Sequence, residues 1–196
     1  MPKITAVENV SLDGVMQAPG RPDEDTRGGF AHGGWAMPYN DEVSAGIAAE
    51  GLASEGAMLF GRFTYELFFD SWAGRDDNPF SPVLDARRKY IASNTLAEPL
   101  SWQNSTLLAG DPVAAVTELK AHAPEEDIVV LGSGVLLRSL LAAGLVDVLQ
   151  LSIHPLVLGA GTRLFDPEGP RLELKLAELV TTTTGVVIAT YHPAGA

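Results

Sequence analysis

Two glycine breaks hold the residues of this chain best suited to chemistry. In the first, Met58-Leu59-Phe60 stops at Gly61-Arg62 and continues as Phe63-Thr64-Tyr65-Glu66. In the second, Ile128-Val129-Val130-Leu131 stops at Gly132-Ser133-Gly134 and continues as Val135-Leu136-Leu137. An apolar run, a glycine and then a helical pattern bring a buried strand to a helix start. Unpaired backbone N–H groups and the helix dipole favour anions there. Glycine admits a ligand close to the backbone, and a short hydroxyl adds one hydrogen bond. Arg62 places a fixed positive charge at the first break. Two such breaks, about seventy residues apart, suggest a nucleotide held by its phosphates at both. Each has a plainer alternative: a strand-end turn with an exposed arginine at Gly61-Arg62, and a tight strand-to-helix turn at Gly132-Ser133-Gly134.

Composition narrows the remaining chemistry. With no cysteine there are no disulfides, thiolate metal sites or cysteine nucleophiles. The histidines, at 32, 122, 154 and 192, form no HxH or HxxxH pair, so no protein-made metal site is expected. His154 stands in an apolar segment and reads as a core or interface histidine. The net charge of −12 argues against nucleic acid, which needs a basic face. It does not exclude an anionic small molecule, because the field inside a pocket is local. The N-terminus has no basic stretch followed by an apolar one, and no apolar run approaches a membrane span. A soluble cytoplasmic protein without a membrane partner is the expectation. At 196 residues, with 46% hydrophobic content, the chain most simply forms one domain, residues 1–196.

Alternating elements must position the two breaks. Residues 3–10 read as a first strand ending at Ser11-Leu12-Asp13-Gly14. Residues 15–40 are rich in glycine, proline and charge, and a loop that long inside a small domain is usually disordered or part of a site. Trp35, Met37 and Tyr39 near its end favour a folded lid. Asp41 is a plausible N-cap for a helix to about residue 53. A strand over 57–60, a helix over 63–69 and an irregular stretch over 70–81 follow. Strands are expected over 89–92 and 105–109. Asp111-Pro112 starts a helix to residue 122, and the strand 127–131 leads into a helix over 135–143. The segments 146–158, 173–181 and 186–191 then read as strands without intervening helices. Alternation followed by a run of strands implies a mixed sheet, parallel at its centre and antiparallel at its C-terminal part.

In this order and at these intervals, the motifs resemble the dihydrofolate-reductase-like superfamily. Within it they look most like the C-terminal reductase domain of the bifunctional riboflavin-biosynthesis deaminase-reductase. The resemblance runs from Asn9 to about Tyr191. It is carried by Ser11-Leu12-Asp13-Gly14, by Gly61-Arg62 with Thr64-Tyr65-Glu66, by Gly132-Ser133-Gly134, and by Val146-Asp147 through Pro155-Leu156-Val157-Leu158-Gly159-Ala160-Gly161 to Leu164-Phe165. It implies an α/β, three-layer dihydrofolate-reductase-like fold, with a mixed, mostly parallel central sheet, antiparallel C-terminal strands and flanking helices.

The resemblance also implies NADPH as cofactor. Gly61, Arg62 and Thr64 would sit at its phosphates, with Arg62 near the 2′-phosphate or the pyrophosphate. Ser93 and Asn94 would contact the adenosine end. Gly132, Ser133, Gly134, Val135 and Leu136 would cradle the pyrophosphate. On the substrate side Asp13 is the candidate for anchoring or protonation, or else a turn aspartate of an Asp-Gly pair. Asp41 is a second acid candidate, or only a helix cap. It stands earlier than the acidic residue dihydrofolate reductases place on their first helix. Trp35 and Phe68 are candidates for substrate stacking, or for core and lid packing. Glu66 can pair with Arg62 at i, i+4. The leading expectation is a reductase moving hydride from NADPH to a small heterocyclic substrate, similar to the aminouracil reductase of riboflavin biosynthesis or to dihydrofolate reductase. The alternative is a non-catalytic NADPH-binding regulatory module of the same fold. The segment 146–158 is longer than one ordinary strand; its continuation into a subunit contact predicts a homodimer.

Overall fold

The first strand, β1 (Ile4–Ser11), alternates inward and outward residues and occupies the middle of the sheet, between two parallel neighbours. The computed structural model describes residues 1–53, 56–122 and 126–194. After β1 come α1 (Glu42–Ala53), β2 (Ala57–Gly61), α2 (Arg62–Trp72), α3 (Ser81–Ala86), β3 (Lys89–Ala92) and β4 (Ser105–Leu108). They are followed by α4 (Pro112–His122), β5 (Ile128–Leu131), α5 (Gly134–Ala142), β6 (Val148–His154), β7 (Leu174–Thr181) and β8 (Val187–Pro193). The eight strands form one sheet in the order β4-β3-β2-β5-β1-β6-β8-β7. All pairings from β4 to β6 are parallel; β8 runs antiparallel to β6, and β7 to β8. This is the α/β architecture expected from the alternation of elements.

Burial explains the layers. Met58, Leu59 and Phe60 of β2 are wholly buried, as a strand covered on both faces requires. On one face Ile4, Ala6, Val10, Leu59 and Val130 pack against Leu136, Leu137 and Leu140 of α5 and Val116 of α4. On the other, Met58, Phe60 and Ile91 pack against Tyr65 of α2, Leu84 of α3 and Trp102. Lys89 is buried too, its ammonium donating to the carbonyls of Asp85, Arg87 and Gln103 and lying over the Trp102 ring. Among the described residues, no helix is long and apolar enough to cross a membrane.

Two segments differ from the sequence expectation. The stretch 70–81 is irregular only in part: α2 runs on to Trp72, and Ser81-Pro82 opens α3 with proline in its first turn. The segment 146–158 is not one long strand. β6 ends at His154, before a proline that has no N–H for a ladder, and the chain turns back. Leu156 and Leu158 then pack on Val15, Ala18, Phe30, Trp35 and Ala36. Leu156 and Leu158 are thus covered by the chain's own 15–36 loop, while Val157 between them is 69% exposed.

The long loop is folded. Val15 is wholly buried and Trp35 nearly so, with its indole N–H donating to the Gln17 carbonyl at 2.7 Å. Short 3₁₀ turns occupy Arg27–Gly29 and Met37–Tyr39. Residues 11–17 zip onto 156–164 through Leu12 N–H to Leu156 O, Met16 N–H to Thr162 O and Leu164 N–H to Gly14 O, each at 2.8–2.9 Å.

Candidate functional site

Unequal strand lengths open the site. β5 stops at Leu131, opposite Val7, whereas β1 runs on beside β6 to Ser11. Beyond Val7 no described strand pairs with β1 on that side, and a cavity of about 740 Å³ opens at the carboxyl ends of the strands. Open α/β sheets bind ligands at such a crevice, and the volume is that of a small-molecule site. Its walls are the C-terminal half of β1, the starts of α2 and α5, and a lid over residues 16–27.

The two glycine breaks meet in this cavity. The Gly61 N–H donates to Ser133 Oγ at 2.9 Å, joining the start of α2 to the start of α5. Gly132 and Ser133 both have left-handed backbones, at φ 58° and 62°. That costs glycine little but strains serine, and such strain is concentrated at functional sites. A Cβ on Gly132 would press on the Thr64 side chain, at 3.4 Å from its methyl group. One on Gly134 would collide with the Met16 thioether, so the helix start lies directly under the lid. The α5 first turn holds no acidic residue, and its opening N–H groups have no carbonyl partner within the helix. That turn therefore presents positive potential to the cavity.

Gly61, Arg62, Thr64, Gly132, Ser133, Gly134, Val135 and Leu136 all line this one cavity. Arg62 reaches across its mouth: Nε donates to Glu66 Oε1 and Nη1 to Thr95 Oγ1, both at 2.8 Å. The i, i+4 pair with Glu66 is thus formed. Ser93 and Asn94 stand outside the lining, at the rim beyond Ala92. Ser93 Oγ lies 3.4 Å from Thr95 Oγ1, beside the Arg62 contact, while Asn94 Oδ1 accepts the Gly110 N–H at 2.8 Å. Phe68 lines the cavity and tilts against Phe60. Trp35 does not line it. Its ring is sealed in the loop cluster, edge-on to His154, which rules out the stacking role expected of it.

The two expected acids lie elsewhere. The Asp13 carboxylate accepts hydrogen bonds from Ser11 Oγ, from the Leu158 and Gly159 N–H groups, and from Arg163 Nη2. These bonds, the Ser11 hydroxyl first, hold it well below the usual carboxylate range. It clasps the 11–17 segment to the 158–163 turn, and an ionised carboxylate so held is no proton donor. Asp41 caps α1, accepting from the Ser44 N–H at 2.9 Å, and its other oxygen accepts from the Thr183 N–H and hydroxyl at 2.7 Å. The Ser44 and Thr183 bonds likewise hold its carboxyl low. Asp41 is a cap and a tether, not an acid of the cavity.

Glu8 is the residue that the sequence reading missed. It lies on β1, lines the cavity and is 4% exposed, and its Oε1 has no hydrogen-bond partner among the described residues. Burial pushes its carboxyl up to about 8. The lid adds a second charged pair: Asp25 and Arg27, joined at 2.6 and 2.8 Å, with the Arg27 guanidinium over the Phe63 ring at 4.1 Å. Gln17 fastens the lid by donating to the Asp25 and Arg27 carbonyls. His154 is a core histidine, Nε2 meeting Asn9 Oδ1 at 3.1 Å, and burial holds it down to about 4.

Known proteins are similar to this chain in sequence or in fold. Bacillus subtilis YyaP, an uncharacterised protein, is 31% identical over 141 residues, 69% of this chain and 72% of its own. A Shewanella sp. PV-4 protein assigned provisionally to riboflavin biosynthesis superposes with a TM-score of 0.72 at 21% identity, over 97% of this chain and 98% of that one. Dihydrofolate reductase of Enterococcus faecalis, in complex with NADP(H) and RAB-propyl, superposes with a TM-score of 0.58 at 14% identity, over 98% and 96%. The fold is therefore dihydrofolate-reductase-like. The model of the RibD C-terminal domain family matches residues 2–188, and the chain belongs to that family.

Proposed function

We propose that this protein is a reductase that uses NADPH to reduce a small heterocyclic substrate in the cavity between β1, α2 and α5. The observation that carries this reading is the Gly61–Ser133 hydrogen bond. It joins two strand–glycine–helix breaks into one continuous, anion-favouring wall beside a cavity of small-molecule size. That wall fits a dinucleotide's phosphates: unpaired α5 N–H groups, and hydroxyls at Thr64 and Ser133. Arg62 would meet the phosphate that distinguishes NADPH from NADH, and the phenyl face of Phe68 would bound the substrate. The cofactor would supply hydride. The protein would supply position, a water-poor site under the lid, and the proton that accompanies hydride.

The test is a titration with NADPH and NADH, following tryptophan fluorescence and thermal shift together. A ligand specific for the native state stabilises it by about 2.7 kcal/mol at a hundred times its Kd. Arg62→Ala should weaken NADPH far more than NADH. An equal loss for both cofactors would sink the 2′-phosphate assignment. No binding of either would overturn the reading as a whole. The absence of Asp13 and Asp41 from the cavity favours a second reading, a non-catalytic NADPH-binding regulatory module. Steady NADPH consumption with any of a panel of pterins, aminouracils and quinones would remove it.

A further inference from the structure

We propose that Glu8 is the acid of this cavity, delivering its carboxyl proton to the nitrogen or oxygen beside the substrate carbon that receives hydride. The inference rests on the reductase reading and adds to it the residue that completes the reaction.

The position of Glu8 follows from the pleat. Successive inward residues of β1 are Ile4, Ala6, Glu8 and Val10, every one at most 4% exposed. Three are apolar and pack in the core; the fourth is a carboxylic acid. It is the first residue of β1 beyond the end of β5, and it lines the cavity that opens there. A buried polar atom without a partner costs stability, and in a native protein it calls for an explanation. Oε1 of Glu8 is such an atom among the described residues, on a side chain that lines the cavity.

Among the described residues no unpaired cation lines the cavity beside this carboxyl. The charged residues lining the cavity are Arg62 on α2, and Glu24, Asp25 and Arg27 on the lid. Arg62 is paired with Glu66 and Arg27 with Asp25. Glu24 Oε2 accepts the Gly20 and Arg21 N–H groups. From α5 the lining residues are Gly134, Val135, Leu136 and Ser139, none of them charged. β6 sets the apolar Leu151 opposite Glu8. Burial therefore acts unopposed, and Glu8 keeps its proton up to about pH 8. A carboxylic acid neutral at working pH is what general-acid catalysis requires.

The step balances. Hydride adds to the carbon of a C=N or C=O bond, and the π pair moves to the nitrogen or oxygen. That atom takes the proton as the Glu8 O–H bond breaks. The substrate gains two electrons and two hydrogens, the nicotinamide is oxidised, and Glu8 remains as carboxylate until it regains a proton from solvent after product leaves.

The test has two parts. Infrared difference spectra of wild type minus Glu8→Gln, with no ligand present, should show a protonated-carboxyl stretch at neutral pH that titrates away near pH 8. A carboxylate band at neutral pH instead would overturn the proposal. In single-turnover reduction, Glu8→Gln should bind NADPH as wild type does and react about 10²–10⁴-fold more slowly. It should also lose the alkaline limb of the wild-type kcat/KM profile, and Glu8→Asp should recover part of the rate. An unchanged rate in Glu8→Gln, with NADPH bound, refutes the role of Glu8 alone. Failure of the wild type to bind NADPH or to reduce any member of the substrate panel refutes the reductase reading and this inference with it.

Discussion

Replacing Glu8 by glutamine should change how stability depends on pH, whatever the protein reduces. Burial raises the Glu8 carboxyl in the folded chain from 4.5 to about 8. Below about pH 4.5 both folded and unfolded chains hold the proton, and Glu8 contributes no pH dependence. Above it the unfolded chain ionises first, so stability falls as pH rises and levels off only once pH passes the folded value. Each pH unit in this window is worth about 1.4 kcal/mol, so the loss by pH 7 is about 3 kcal/mol. Glutamine keeps the shape of the acid and removes this loss. Glu8→Gln should therefore gain on wild type steadily from about pH 5 to pH 8.

Two other buried groups act on the wild-type profile. His154 is held down to about 4 from 6.5, so the unfolded chain takes up its proton first and stability rises with pH between those values. Lys89, lowered by burial to about 8 from 10.5, adds a similar rise above pH 8. His154 offsets Glu8 in the acidic range, and the wild-type curve should be nearly flat there before it falls. The difference between the two proteins cancels both groups and isolates Glu8. Urea denaturation at a series of pH values measures it. A difference that is constant with pH would mean that Glu8 ionises normally, in contact with water, and the argument for a buried acid fails.

Asp13→Asn should lower Tm by loosening the clasp on Leu158, Gly159 and Arg163 while leaving NADPH affinity unchanged; weakened binding at an unchanged Tm would return Asp13 to the site. Ser133→Ala removes the acceptor of the Gly61 N–H, and should cost about 1 kcal/mol in urea denaturation and weaken NADPH in the same variant. We propose a homodimer through edge strand β7. The bulge between Leu176 and Glu178 sets Leu176 and Leu179 opposite Tyr191 and Ala189, hence on one face of edge strand β7, 50% and 55% exposed. Light scattering should give a dimer mass for wild type and a monomer mass after both leucines are changed to lysine; a wild-type monomer contradicts it.

The parts of the fold legible in the sequence were those written in local chemistry. The wholly buried strand β2 is an unbroken apolar run, and Asp111-Pro112 marks the start of α4, where Asp111 Oδ1 accepts the Ala114 N–H at 2.8 Å. Asp41 announces α1 in the same way. The six-residue α3 shows too little periodicity to separate from a loop, and its start at Ser81-Pro82 was hidden by the irregular stretch before it. The end of β6 was misread because Leu156 and Leu158 continue an apolar pattern; they pack on the distant 15–36 loop, and no local spacing encodes that partner.

The same division between local and distant partners decides the site. Glycine breaks can be read from the chain because glycine is needed where the backbone itself turns at Gly132. What an acid does depends on residues far along the chain. Asp13 follows a strand and precedes a glycine, as a catalytic acid at a strand end would, yet its partners are Leu158, Gly159 and Arg163. The Ser11 hydroxyl and the Leu158 and Gly159 N–H groups keep it ionised, and so no proton donor. Glu8 sits inside a strand, where a charged residue reads as solvent-facing. Its role turns on β5 stopping opposite Val7, a pairing across more than a hundred residues. Had β5 run two residues further, its pairing with β1 would close the gap in which the cavity opens. The short β5 opens the cavity beside which Glu8 is buried.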